Sequence, residues 1–418
     1  MGTYSQIIKC RICGNRDLIP ILHLGNQCLT GIFPRNREQK ITSGPLELVK
    51  CNDSGNAHHC GLVQLRHSYD HLEMYGNNYG YRSGLNKSMV SHLRKKVEKI
   101  QSFVELEQGD LIIDIGSNDS TLLKAYQLDG LLLVGVDPAG EKFRKYYPGH
   151  VHLIPDFFSE AVVKKNFGRK KAKVVTSIAM FYDLESPVDF AKQIEAILAD
   201  DGIWIFEQSY LPMMLEMNAY DTVCHEHLEY YSLKQIKWIM EKAGLKIIDV
   251  EFNKVNGGSF SVIVAKTGSF YAENEKLVED ILSKESGLRA LTPYEKFGNR
   301  VLNSRDELAM FFQGARRERK TVFGYGASTK GNVILQFCHI TDGDMPFIAE
   351  VNSDKFGCYT PQTHIPIISE EEAKKMNPDY FLVLPWHFKE HIIERESKYL
   401  ASGGKLVFPL PYLEIIKR

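Results

Sequence analysis

Three stretches of this chain bring together residue types that do chemistry. In CHEHLEYY (224–231), His225 and His227 flank Glu226, and Tyr230 and Tyr231 close the stretch. Histidine titrates near neutrality and exchanges protons, while a neighbouring carboxyl or phenol can orient a substrate or donate to a developing oxyanion. Histidines two apart share a side of a strand but not of a helix, and HEH is not the HExxH signature of zinc hydrolases. Acid/base work is therefore expected here, ahead of metal ligation or plain structural polarity.

The second set is thiol. Five of the eight cysteines lie in the first 60 residues. Cys10 and Cys13 form one half of a zinc knuckle, and Cys51 and Cys60 can complete a four-thiolate tetrahedron. Such a closed shell leaves no position for substrate, so the zinc is expected to be structural. Cys51 and Cys60 bracket an unusually wide gap that holds His58 and His59. Either histidine could replace a thiolate, but solvated loop residues are the expected reading.

The third set consists of two glycine loops. Asp114-Ile115-Gly116-Ser117-Asn118-Asp119 ends a hydrophobic stretch without the GxGxxG pyrophosphate pattern. The next apolar run ends in Asp137-Pro138, placed to accept hydrogen bonds from ribose hydroxyls, and Asp156-Phe157-Phe158 follows with an aromatic face for adenine. This ordered acidic set suits S-adenosylmethionine better than NAD. The second loop runs from Gly324 through Tyr325, Gly326, Ala327, Ser328, Thr329, Lys330 and Gly331 to Asn332. Helix-start N–H groups, hydroxyls and a lysine converge there, which is chemistry for phosphate oxygens, although the P-loop order is absent. A tight βα turn without a ligand is the alternative. His364 could touch a nucleotide or be satisfied by backbone.

The elements that must hold these sets read as alternating strands and helices. A helix over 86–108 leads into strands at 111–120, 131–137, 172–180 and 202–209, with a helix at 188–199 and late strands at 242–253 and 259–266. A polar helical connector over 271–320 precedes a second α/β unit with strands near 321, 346, 379 and 405. The α/β fold class expected is a small N-terminal zinc-binding module (1–75), a central class I methyltransferase Rossmann-like domain (76–268) and a C-terminal Rossmann-like domain (269–418). Net charge is −1, so no electrostatic footprint for nucleic acid or membrane is present. No apolar run approaches a membrane span, and the N-terminus lacks a signal peptide's basic start and apolar core; a cytoplasmic protein is expected.

Together these residues are familiar. CRICG with CGLVQL, YGYRSGLNKSMVSHL, DIGSNDS, SIAMFYDLESP, CHEHLEYYS, VNGGSF, VFGYGASTKGN and YTPQTHIPI resemble, in order and over nearly the whole chain, the sugar C-methyltransferases that act on nucleotide-linked keto-deoxysugars. The resemblance implies that the sugar nucleotide lies between the S-adenosylmethionine domain and the C-terminal domain, with methylation expected at C-3 of a 4-keto-deoxysugar. It makes His227 the general base, with Glu226 and His225 orienting substrate and stabilising charge. It also implies that Tyr79 or Tyr81 faces the sugar and that Asn256, Gly257 and Ser259 belong to the same cleft. Tyr325, Ala327, Ser328, Lys330 and Asn332 would then hold phosphates. Cys224 stands where this family often has a tyrosine. A relative that exchanges a proton without methyl transfer, as an epimerase does, would use the same base, and an O- or N-methyltransferase is a more distant option. A monomer or homodimer is expected.

Overall fold

The computed structural model describes residues 4–56, 58–75 and 81–417. The N-terminal unit is built on two long antiparallel strands, Leu18–Cys28 and Ser43–Cys51, followed by the short strand Val63–Leu65. This region is rich in turn formers and has no long periodic segment in its sequence. The strands carry prolines and glycines and shift register, so their alternation is broken. A fourth strand in this sheet comes from elsewhere: Glu229–Tyr230, at the end of the HEH stretch, pairs with Gln64 and Val63.

The central unit is a seven-stranded sheet ordered 245–253, 259–266, 198–209, 172–178, 111–115, 132–136, 151–154. All neighbours are parallel except Ser259–Lys266, which runs antiparallel to both of its partners. Strand Leu111–Ile115 is buried at every position, which explains its unbroken apolar run. The strand order reverses between Leu111–Ile115 and Ala172–Ile178, and ligand crevices of doubly wound sheets open at such a point. The expected helices appear at Lys87–Phe103 and Pro187–Ile197.

Two helices, Glu275–Lys284 and Thr292–Arg317, lead to a six-stranded sheet ordered 367–369, 348–350, 322–325, 380–383, 405–408, 414–416. Its order reverses between Val322–Tyr325 and Tyr380–Val383, whose carboxyl ends carry the GAS turn and Pro385-Trp386-His387. One hydrophobic core runs through Leu46 and Val63 of the first unit, Leu211–Tyr230, and Ile334 and Leu382 of the last. The segment that carries HEH is therefore buried where the units meet. Among the described residues no helix is long and apolar enough to cross a membrane.

Candidate active site

His227 is held by its own loop. A short 3-10 turn, Tyr220–Thr222, places the Thr222 carbonyl 2.8 Å from His227 Nδ1. That carbonyl can only accept, so Nδ1 carries the proton and Nε2 keeps its lone pair. The Tyr182 ring packs on the imidazole with centroids 4.3 Å apart. Burial, and then the charge of Lys330, lowers the His227 pKa to about 3, so the ring is neutral at physiological pH. Lys330 comes from the C-terminal unit, in the first turn of helix Thr329–Phe337. Its charge is also felt by Asp221, Cys224 and His387. The lysine expected among phosphates thus lies within electrostatic reach of the HEH stretch.

The neighbours of His227 have different roles. Glu226 is 7% exposed, its carboxyl is raised by burial, and Thr30 Oγ1 donates to it at 3.4 Å. A β-carbon built on Gly31 collides with Glu226 Oε1, so the zinc module forms one wall of the site. In Gly31→Ala the carboxyl must therefore swing away; we expect kcat to fall about 10-fold or more, with a Tm within a few degrees of wild type by scanning fluorimetry. His225 is fully buried and its ring stands edge-on to Tyr69 at 4.6 Å. Burial lowers its pKa to about 3, and its neighbours Gln27, Gly44 and Tyr69 belong to the N-terminal module.

Several residues here carried no local sequence signal. Trp386 Nε1 donates to Asp221 Oδ2 at 2.8 Å. A β-carbon on Gly257 (φ 89) would lie 3.5 Å from the same indole, so the NGGS turn lies against Trp386. Asn256 lies in the same 3-10 turn, and Ser259 Oγ is spent on the Val255 carbonyl. His387, next to Trp386, is lowered to about 3 by burial and by Lys330. Asp183 is buried near Glu226, which raises its carboxyl further after desolvation. PWHF follows a strand end with no pattern of its own, whereas FYD lies within the SIAMFYDLESP stretch.

The crevice at the switch point of the central sheet collects the acidic loop. Gly116 has φ 71 at the end of the first strand, and Asn118 follows at φ 50. Asp137 accepts Asn118 N and Ala139 N, both at 2.7 Å, which rigidly couples the ends of two adjacent strands across Pro138. Asp114 accepts from Thr176 Oγ1 at 2.6 Å; burial, with Asp137 nearby, pushes it up to about 7. Two buried carboxyls raised in this way fit a ligand that brings positive charge and hydroxyl donors, as S-adenosylmethionine does. Tyr81 is 46% exposed; its carbonyl accepts from Asn118 Nδ2, and the Ser83 and Gly84 N–H groups donate to Asn118 and Asp119. YRSG therefore clasps the acidic loop. Tyr79 lies outside the described residues. Asp156 and Phe157 are exposed beyond strand Val151–Ile154, while Phe158 packs on Phe190 at 5.0 Å.

The second glycine loop is more self-contained than its composition suggested. Ser328 Oγ caps its own helix by accepting Gly331 N at 2.9 Å. Ala327 N is taken by Glu350 Oε2 at 2.8 Å. Tyr325 donates to Glu396 at 2.6 Å and Asn332 Nδ2 to the Thr30 carbonyl at 2.8 Å. The Tyr325 and Asn332 side chains, expected on phosphates, are thus committed to internal partners. His364 has φ 55 and its loop packs on the first unit, where Gln362 Oε1 accepts Cys28 N.

The four cysteines converge. Cys10, Cys13, Cys51 and Cys60 place their sulfurs within 4.8 Å of one another. The wide gap closes because Lys50 pairs with Asp53, while His59 Nδ1 meets the Asn52 carbonyl at 2.9 Å. His59 is thereby spent inside the loop and His58 is exposed, so the donor set is four thiols. That set fits structural zinc.

The strand order, the acidic switch-point crevice and the thiol module define an S-adenosylmethionine-dependent methyltransferase with a structural zinc site. Family models match three consecutive stretches: a zinc binding domain at 10–75, a methyltransferase domain at 89–250 and a C-methyltransferase C-terminal domain at 254–411. The chain is 30% identical over 414 residues to C-methyltransferase NovU of Streptomyces niveus, covering 98% of this chain and 97% of that protein. Solved structures similar in part include mitomycin 7-O-methyltransferase MmcR, 14% identical over 44% of this chain and 56% of that one, TM-score 0.34. The CcbJ methyltransferase of Streptomyces caelestis is 11% identical over 42% and 89%, TM-score 0.32. The chain belongs to the C-methyltransferase family and is a methyltransferase enzyme that uses S-adenosylmethionine.

Proposed function

We propose that the enzyme methylates C-3 of a nucleotide-linked 4-keto-deoxysugar, with His227 Nε2 as the base that removes the α-proton. The observation that carries this reading is the His227 tautomer, held by the Thr222 carbonyl with its lone pair left for substrate. Carbon becomes nucleophilic only when a proton is removed beside a carbonyl, and a neutral imidazole is suited to that task. S-adenosylmethionine, when bound, supplies an electrophilic methyl group. Asp137 would accept its ribose hydroxyls, and Asp114 would favour the positive end. The charge of Lys330 reaches His227, so it would stabilise enolate charge or meet the sugar nucleotide's anion. Boundaries at residues 75 and 268 and a cytoplasmic setting, which keeps thiols reduced, belong to the same reading.

The test is mass spectrometry in deuterated water with S-adenosylmethionine and a panel of dTDP-, GDP- and CDP-linked 4-keto-6-deoxysugars. A product heavier by one methyl group, lost in His227→Ala, is expected. Deuterium uptake without methylation would overturn the transfer and leave an epimerase-like exchange. The pH profile adds a second check. A base with a depressed pKa stays deprotonated further into acid, so kcat/KM should hold flat down to roughly pH 5, below ordinary imidazole behaviour. Lys330→Gln removes a charge that opposes protonation; the His227 pKa then rises and the acid limb should move to higher pH. An unmoved limb would separate Lys330 from the base.

A further inference from the structure

Arg11 sits inside the zinc knuckle, between Cys10 and Cys13, yet its side chain is only 2% exposed and spends itself on other segments. Nη1 donates to the Leu65 carbonyl at 2.7 Å and Nη2 to Ser68 Oγ at 2.8 Å. Nε donates to Glu185 at 3.2 Å and lies 3.7 Å from the fully buried Glu229 carboxyl. These partners belong to the two walls of His227. Glu229 and Leu228 follow the base directly, and they are tied to the module through Glu229↔Gln64 pairing and the Leu65 N–H on the Leu228 carbonyl at 2.8 Å. Glu185 continues the Phe181–Asp183 turn that brings Tyr182 onto the imidazole, and the Tyr182 carbonyl in turn accepts the Leu228 N–H at 2.8 Å.

We propose that Arg11 is a positioning residue for the methyl transfer, one planar guanidinium that ties the zinc knuckle to both walls of the His227 pocket. A guanidinium can do this because its five donors are fixed in one fork; a lysine has the charge without the fork. The zinc site thereby sets the geometry of a base that belongs to another unit. This rests on the reading of His227 as the base, so the test includes an observable that does not depend on turnover.

The experiment uses full-length, zinc-loaded Arg11→Ala, Arg11→Lys and Glu229→Gln, with ¹⁵N-histidine spectra in which His227 is assigned by the signal lost in His227→Gln. Wild type should show His227 as a single Nδ1–H tautomer, neutral throughout the physiological range. Arg11→Ala should mix the tautomers, move its titration toward the ordinary value of about 6.5 and lower kcat roughly 10- to 100-fold, with KM for S-adenosylmethionine unchanged. Arg11→Lys should rescue only part of either loss, and Glu229→Gln, near isosteric, gives the same comparison if Arg11→Ala fails to fold. Unchanged His227 signals and kcat in variants that keep one zinc per chain would overturn the proposal. Full turnover in His227→Gln would instead sink the base assignment and leave the Arg11 effect on the ring readable.

Discussion

His227→Gln is expected to lower kcat by about 10²- to 10⁴-fold, the usual contribution of a positioned general base. Glutamine can still donate toward the Thr222 carbonyl that holds Nδ1 at 2.8 Å, so the loop should keep its shape. What it cannot do is accept a proton. KM for S-adenosylmethionine should therefore stay within a few-fold of wild type, because the Asp114 and Asp137 crevice lies at the sheet's switch point and is assembled by other elements. Steady-state kinetics with the substrate found by mass spectrometry decides it. A variant that retains a tenth or more of wild-type kcat would move the base elsewhere, with His387 and Asp183 the neighbours to test next.

Removing zinc should have a still larger effect on the molecule as a whole. Structural zinc is worth about 10–16 kcal/mol in small zinc-finger peptides, as much as the net stability of a typical domain. The four sulfurs lie within 4.8 Å of one another and bring residues 10–13 against residues 51–60, so losing the ion removes the one ligand those two stretches would share. Chelation, or Cys13→Ser, should unfold the N-terminal unit and also abolish methyl transfer, because Thr30 and Gly31 bracket Glu226. Metal analysis should find one zinc per chain in active wild-type protein and none in the variant. Zinc returned to the chelated enzyme should restore both circular dichroism and turnover. Activity that survives complete loss of zinc would reduce the module to a passive appendage.

How much of this could be read from residues alone varies with the range of the interaction. Strand Leu111–Ile115 is local in its signal: five buried positions, an acidic end and a glycine at φ 71. The reading of the central sheet rests on several segments of this kind. The thiol cluster was legible too, although only the folded loop shows how Lys50, Asp53 and His59 draw a wide gap together. The pocket wall was not legible. Trp386 meets Asp221 across 165 positions of sequence and Arg11 meets Glu185 across 174, and no periodicity encodes such contacts. The second glycine loop was ambiguous for a different reason. Its residue types suit phosphate, but Ser328 and Ala327 are also what a capped βα turn needs, and Glu350 takes the latter's N–H.

The strand Glu229–Tyr230 has a bearing on how such enzymes can change over generations. It lies in the sheet of the first unit although it is encoded far downstream, within the stretch that carries His227. A crossover near residue 75 between two related genes would give a module whose sheet must accept a foreign edge, and an Arg11 facing a foreign Glu229. Modules exchanged without residues 225–230 should therefore assemble poorly, whereas grafts that move both pieces together should work. Lineages of this enzyme are expected to inherit the zinc knuckle and the HEH stretch as a single block.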